Sequence, residues 1–169
     1  YLQTIAAKDG TWLGMMPNTL PMAQAVGLEG VRYDVSKFHW LGSIMPAAHS
    51  ALISWTAAGV RSIDDIRQRE ISNGASPKGS YTYTMPAMLN ELLGAKLKIV
   101  AGYQGINPIF LALERGEVET LAVTWNDFEI EKADWVRDGK VTALVQSTPK
   151  SPTLPNVPTV DELLSKPGD

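Results

Sequence analysis

Leu92-Leu93-Gly94-Ala95-Lys96-Leu97-Lys98-Ile99-Val100-Ala101-Gly102-Tyr103-Gln104-Gly105, running on through Ala112-Leu113-Glu114-Arg115-Gly116-Glu117-Val118-Glu119, carries the architecture of this chain. Gly94 closes a helix, and Lys96 to Ala101 forms a short strand. Gly102-Tyr103-Gln104-Gly105 makes a glycine-bracketed turn, and a second helix begins beyond it. The first N–H groups of a helix lack internal acceptors and carry the positive end of its dipole. A turn placed against them is therefore a natural anion site.

The same alternation extends along the chain. Thr11 to Met16 reads as a buried strand closed by Pro17-Asn18-Thr19. One or two helical turns follow from Pro21 to Val26, ending at Gly27. Tyr33 to Phe38 gives a short helical turn, His39 to Met45 a second strand and Ser50 to Trp55 a third. Ser62 with Asp65 forms a capping box at the start of a helix. Glu70 to Ala75 returns as a strand, and Gly74-Ala75-Ser76-Pro77-Lys78-Gly79-Ser80 turns into a helix that runs to Leu93. Asn107-Pro108 predicts an N-cap followed by proline at the first helical position, with Gly116 ending that helix. Thr120 to Thr124 is a strand, and Asn126 caps a helix to Asp138, stopped by Gly139. Val141 to Gln146 is the last strand, the proline-rich Thr148 to Pro158 a surface connection, and Thr159 the cap of a terminal helix. The order predicts an α/β fold on a largely parallel sheet, whose strand C-termini and helix N-termini share one edge. Tyr1 to Lys8 reads as the end of a helix already under way, and both chain ends read as cuts within a longer protein.

Composition narrows the function classes. Net charge is −3 with no basic stripe, which argues against a nucleic-acid partner. No apolar run reaches membrane-spanning length. The chain has no cysteine, so thiol catalysis and thiolate metal sites are excluded. Gly74 to Ser80 is not a P-loop, because Lys78 precedes Gly79 instead of following a glycine into Ser or Thr. An anion-binding turn and a plain capping turn remain equally open there, as they do for Gly102 to Gly105. His39 and His49 stand apart from any second ligand, and default to structural roles. Glu114, Glu117 and Glu119 read as solvated surface. The five tryptophans read as packing residues, with only Trp125 placed to touch a ligand. No nucleophile, base and oxyanion donor assemble, so neither a catalytic site, a metal nor a cofactor is expected.

The chain resembles the solute-binding proteins of tripartite tricarboxylate transporters, the Bug family. The likeness rests on Asp9-Gly10-Thr11, Tyr33-Asp34, Lys37-Phe38-His39-Trp40-Leu41-Gly42-Ser43-Ile44 and Ser62-Ile63-Asp64-Asp65. It continues through Gly102-Tyr103-Gln104-Gly105, Trp135-Val136-Arg137-Asp138-Gly139-Lys140 and Leu154-Pro155-Asn156-Val157-Pro158-Thr159. The resemblance implies a type II periplasmic-binding-protein-like fold of two lobes, one incomplete here. Residues 1–55 and 142–169 would belong to lobe 1 and residues 56–141 to lobe 2. It implies a periplasmic receptor, a monomer, that takes a small organic carboxylate from the cleft to membrane permease subunits. The matching ligand positions are Asn18 and Thr19 in one lobe, and Ser76, Gly79, Ser80, Tyr103, Gly105 and Thr124 in the other. Two departures stand out. The family's first strand and its Pro-Gly-Gly ligand loop have no counterpart, and Ala75-Ser76-Pro77-Lys78 replaces a Gly or Thr-Gly pattern. Lys78 reads as solvent-facing. A ligand-sensing module and a carboxylate-transforming enzyme are the alternatives.

Overall fold

The computed structural model describes residues 4–17, 19–25, 27–42 and 48–164, which fall into two compact units, Tyr1–Ile44 and Met45–Asp169. In the first unit, α1 (Leu20–Ala25) is followed by a 3-10 turn at Val35–Lys37. The Asp34 carboxylate caps that turn by accepting the Ser36 N–H at 3.0 Å. The Gln24 side chain ties helix to turn by accepting the Val35 N–H at 2.9 Å. Residues 4–8 carry turns, not the expected helix end. The strand expected at Thr11 to Met16 does not form: this stretch carries neither strand nor helix, and Leu13 and Met15 are largely exposed. His39 to Gly42 likewise carries neither, and the rest of that expected strand lies outside the described residues, as do Asn18 and Val26. The physical reason is shared. An apolar run marks a segment that wants burial, but only a partner edge makes it a strand, and a unit this small buries little. Trp12 and Trp40, expected to pack, are each about half exposed for the same reason.

The second unit holds β1 (Ser50–Trp55), α2 (Ile63–Gln68), β2 (Ile71–Ala75), α3 (Tyr81–Leu93), β3 (Leu97–Ala101) and α4 (Ile106–Glu114). It continues with β4 (Thr120–Thr124), α5 (Trp125–Glu131), α6 (Ala133–Arg137), β5 (Val141–Gln146) and α7 (Val160–Leu164). The strands form one sheet in the order β3-β2-β4-β1-β5. β2 lies parallel to β3 and β4, whereas β1 runs against both β4 and β5. The sheet is thus parallel apart from one reversed strand; burial patterning locates a strand but is blind to its direction. Because β1 and β5 pair inside this sheet, Ser50 to Trp55 and Val141 to Gln146 share a unit with the middle segment, and the division lies before β1.

Alternate residues of the strands feed two cores, one on each face. Leu52, Ala122 and Leu144 pack with Ile66, Met85 and Leu89 from α2 and α3. Ala51, Ile53, Leu121 and Val123 pack with Ile109, Leu113, Phe128 and Trp135 from α4, α5 and α6. This period-two sorting is what a sheet covered on both faces requires. Local signals hold where the chemistry is strong. Ser62 and Asp65 make the capping box, Gly94 ends α3, and Thr159 and Glu162 bond reciprocally at the start of α7.

Three local expectations are corrected. α4 starts at Ile106 with Gly105 as its cap, so Asn107 and Pro108 sit inside the first turn, where a missing N–H costs nothing. Asn126 does not cap α5; Thr124 occupies that position, and the Asn126 carboxamide instead accepts the His49 N–H at 3.0 Å. The helix expected to reach Asp138 breaks at Lys132, whose ammonium lies 4.8 and 4.6 Å from the Phe110 and Trp135 ring centroids. Glu119 also departs from the solvated surface role. It accepts the Ser72 N–H at 2.9 Å and pairs with Arg69 at 2.8 Å. Partial burial raises its pKa, but the Ser72 and Arg69 contacts outweigh this and leave it lowered.

Two predictions follow from this packing. An added Cβ at Gly74 would overlap the Ile109 Cγ2 methyl and press on Val118, because α4 lies directly on β2 there. Gly74→Ala should therefore destabilise the protein by about 1–3 kcal/mol, the usual cost of overpacking, seen as a lower urea midpoint. Glu119→Gln should cost about 1–2 kcal/mol at neutral pH through its weakened charge-assisted bonds. A carboxylate held below its ordinary pKa adds stability above that range and loses it as pH falls through the folded-state value. The gap between wild type and Glu119→Gln in urea titrations should accordingly close on acidification.

Candidate functional site

The winding of the sheet picks out one edge. The chain leaves β2, crosses by α3 to β3 on one side, then returns by α4 past β2 to β4 on the other. The direction of winding thus reverses between β2 and β4, with α3 and α4 on opposite faces. In open α/β sheets such a reversal leaves a crevice at the strand C-termini, where ligands bind. Ser76, Gly79 and Ser80 follow β2, Tyr103 and Gly105 follow β3, and Thr124 ends β4, so six of the expected ligand positions lie along this edge. Thr19 belongs to the first unit, where its carbonyl accepts the Ala23 N–H at 2.9 Å; Asn18 lies outside the described residues.

The turn after β2 is braced from below. The Ser76 N–H donates to the Thr82 hydroxyl at 2.9 Å, and the Thr82 and Ser80 hydroxyls lie 3.0 Å apart. Gly79 has φ +92°, which admits glycine without strain. Pro86 sits inside α3 and has no N–H for the Thr82 carbonyl four residues earlier. The fully buried Asn73 carboxamide supplies that missing donor at 3.4 Å, and its oxygen, at 3.2 Å, shares the Thr120 hydroxyl proton with the Ser72 carbonyl at 3.1 Å. One side chain thereby joins β2, the first turn of α3 and β4.

The turn after β3 is fastened to β2. The Gly102 and Tyr103 N–H groups both donate to the Ala75 carbonyl, at 3.1 and 3.3 Å. Tyr103 packs its ring against the core beneath α4 and α5. Gly105 has φ +100° and ψ −176°, a conformation open essentially only to glycine. No side chain caps α3, α4 or α5; the first N–H of α5, that of Trp125, donates to the His49 carbonyl at 2.7 Å, so the backbone donors kept at the edge are those of α3 and α4.

On the far side of β4, the entry to β1 and the exit from β5 are tied together. Ser50 and Ser147 exchange two bonds, at 3.1 and 2.8 Å, and His49 Nδ1 lies 2.9 Å from the Pro149 carbonyl. Trp125, expected to reach a ligand, is instead buried, its indole N–H donating to Thr153 at 2.8 Å. Burial pushes the Tyr81 phenol well above the ordinary tyrosine range, only partly offset by its bond with Ser50, so it stays neutral. Lys78 is exposed. Among the described residues, no group of three or more His, Asp or Glu side chains converges as a metal site would require.

Thr82, Asn73 and Gln146 went unread in the sequence. Gln146 is fully buried and holds the proline-rich connection through Leu154, Val157 and Ser151. A signal for the first two existed: Pro86 within a helix releases a carbonyl at position 82, and a buried amide must find such a group.

Comparison with known proteins now bears on this geometry. No protein-family model and no curated protein sequence matches the chain. Among solved structures, the periplasmic binding protein BugD is 24% identical with a TM-score of 0.56, over 68% of this chain and 39% of that one. Rpa4515 of R. palustris, solved with adipate, is 24% identical with a TM-score of 0.57, over 72% of this chain and 41% of that one. The fold is that of the periplasmic binding proteins. MatC (Rpa3494) of Rhodopseudomonas palustris, with bound malate, shares it at 22% identity and a TM-score of 0.53, over 69% of this chain and 40% of that one. The chain thus spans only about two-fifths of the length of these solute-binding proteins. Among the described residues no helix is long and apolar enough to cross a membrane.

Gly105→Ala should cost about 1–3 kcal/mol through backbone strain, or shift the start of α4 to relieve it. Thermal unfolding checks the first outcome, and altered amide shifts confined to residues 102–108 would reveal the second.

Proposed function

We propose that this chain forms part of an extracytoplasmic receptor that captures a small organic carboxylate for a tripartite tricarboxylate transporter. The observation that carries the reading is the crevice edge, where two glycine turns and the uncapped starts of α3 and α4 present backbone and hydroxyl donors. An anion acceptor suits such a set of donors. The adipate and malate in two proteins of the same fold favour carboxylates as the class. Ser76, Gly79, Ser80, Tyr103, Gly105 and Thr124 are the proposed contacts, and Asn18 and Thr19 would contribute from the other lobe of the complete receptor. The role is capture without chemical change, in the periplasm, with delivery to the permease following closure around the ligand. Closure follows only from contacts the ligand makes better in the closed state.

Thermal unfolding of the full-length mature protein against a panel of carboxylic acids tests this. The panel holds acetate, malate, adipate, citrate and benzoate, with agmatine as a cationic control that lacks a carboxylate. A bound acid at about a hundred times its dissociation constant should add roughly 2.7 kcal/mol of stability. An upward shift confined to one or more acids supports the receptor. A cooperatively unfolding protein stabilised by none of them, or by agmatine alone, overturns it.

A further inference from the structure

The two edges of the sheet are finished differently. β5 is covered by the proline-rich connection: the Gln146 N–H donates to the Pro158 carbonyl at 2.9 Å, and Thr159 bridges to Gln146. β3 has no strand on its outer side among the described residues. Along such a strand, successive residues turn their N–H and C=O groups to opposite sides. The Lys96 carbonyl and the Gly102 N–H face β2, bonding Ile71 and Ala75 at 3.0 and 3.1 Å, so Leu97, Ile99 and Ala101 face outward. The Asn90 side chain of α3 takes the first of these. Its oxygen accepts the Leu97 N–H and its nitrogen donates to the Leu97 carbonyl, each at 2.9 Å. The facing residue of an antiparallel strand would make the same two-way exchange. At the other end, Tyr103 spends its N–H on Ala75 and its carbonyl on Gly105. The free edge is thereby cut to Ile99 and Ala101.

We infer that Asn90 guards β3: it stands in for a neighbouring strand and keeps this edge from pairing with a second copy of the chain. The inference is independent of the carboxylate reading. A row of unpaired N–H and C=O groups is a template for another strand, and natural edges are blunted by being kept very short. A second copy fits, because two identical antiparallel strands are self-complementary about a two-fold axis. With the axis at Ile99, Leu97 of each copy meets Ala101 of the other, on either side of an Ile99 pair. Asn90 occupies Leu97 in both copies, so both outer pairs are lost and the central one stands alone. An axis at Val100 keeps Ile99 against Ala101 but extends no further, because Leu97 would then meet the committed Tyr103.

Sedimentation of the full-length protein and its variants across a concentration series tests this. Asn90→Ala keeps α3, because alanine is the best helix former, and frees the Leu97 groups. It should associate with rising concentration toward about twice the wild-type mass, as a two-fold pair requires. Adding Ala101→Pro removes an outward N–H at an exposed edge position, where proline is tolerated, and should restore the wild-type mass. Association that survives the proline comes from another surface or a loosened fold, and overturns the inference. A folded Asn90→Ala that keeps the wild-type mass at every concentration overturns it as well. Hydrogen exchange on the wild type needs no variant to fold. The Leu97 amide should exchange about tenfold more slowly than those of Ile99 and Ala101. Equal rates would mean that Asn90 does not hold the edge, and the inference falls.

Discussion

Asn73 is fully buried and polar, and the geometry of the crevice depends on how its amide is satisfied. Its nitrogen reaches the Thr82 carbonyl, and its oxygen takes the Thr120 hydroxyl. A buried amide left unpaired costs on the order of 1–3 kcal/mol, so these partners are held firmly. The Thr82 carbonyl is available only because Pro86 cannot donate to it. A helix defect and a buried amide thus answer each other, at the place where the winding of the sheet reverses. That match adds a polar tie between the start of α3 and the sheet, beside the Ser76 bond to Thr82 and the packing of Met85 and Leu89.

Around this point two glycines serve different ends. Gly74 lets the Ile109 side chain of α4 press onto β2, and Gly105 opens the start of α4 at a conformation others avoid. The edge that results is lined by N–H groups and hydroxyls. Charges are kept at its periphery: Lys78 and Asp127 are exposed, and Glu119 is engaged by Arg69 and Ser72 at the opposite end of β4. The strong electrostatics of the unit thus hold strands together, and the candidate site works with dipoles.

The parts of this arrangement that were legible in the sequence are those fixed by chemistry within a few residues. Ser62 with Asp65, Gly94 after Leu93, and the apolar runs of β1 to β5 each locate an element because the local physics has one economical solution. The reversed direction of β1 was not legible, since a strand buried on both faces looks alike in either direction. Nor was the absence of a strand at Thr11 to Met16, because its apolar residues specify a need for burial and not an edge to pair with. Glu119 looked like surface until Ser72 and Arg69, about fifty residues away, closed around it. Asn126 and Trp125 failed for a related reason. Their partners His49 and Thr153 lie far along the chain, and a cap or ligand role was the nearest local alternative. The site positions were readable as strand-exit turns, while the residues that brace them were not.

A site made of dipoles has a consequence for how a receptor would work. A buried arginine or lysine could hold a carboxylate more tightly, but the charge would need its own desolvation to be offset when the ligand is absent. It would also deepen binding in open and closed states alike, and equal gains in both states shift no equilibrium. Backbone N–H groups and hydroxyls carry no net charge to desolvate, and their worth depends steeply on distance and angle. A ligand held this way is bound well only in the geometry that satisfies every donor at once. In the receptor proposed above, the energy of capture would then be concentrated in the closed form, and a small opening would be enough to let the carboxylate leave.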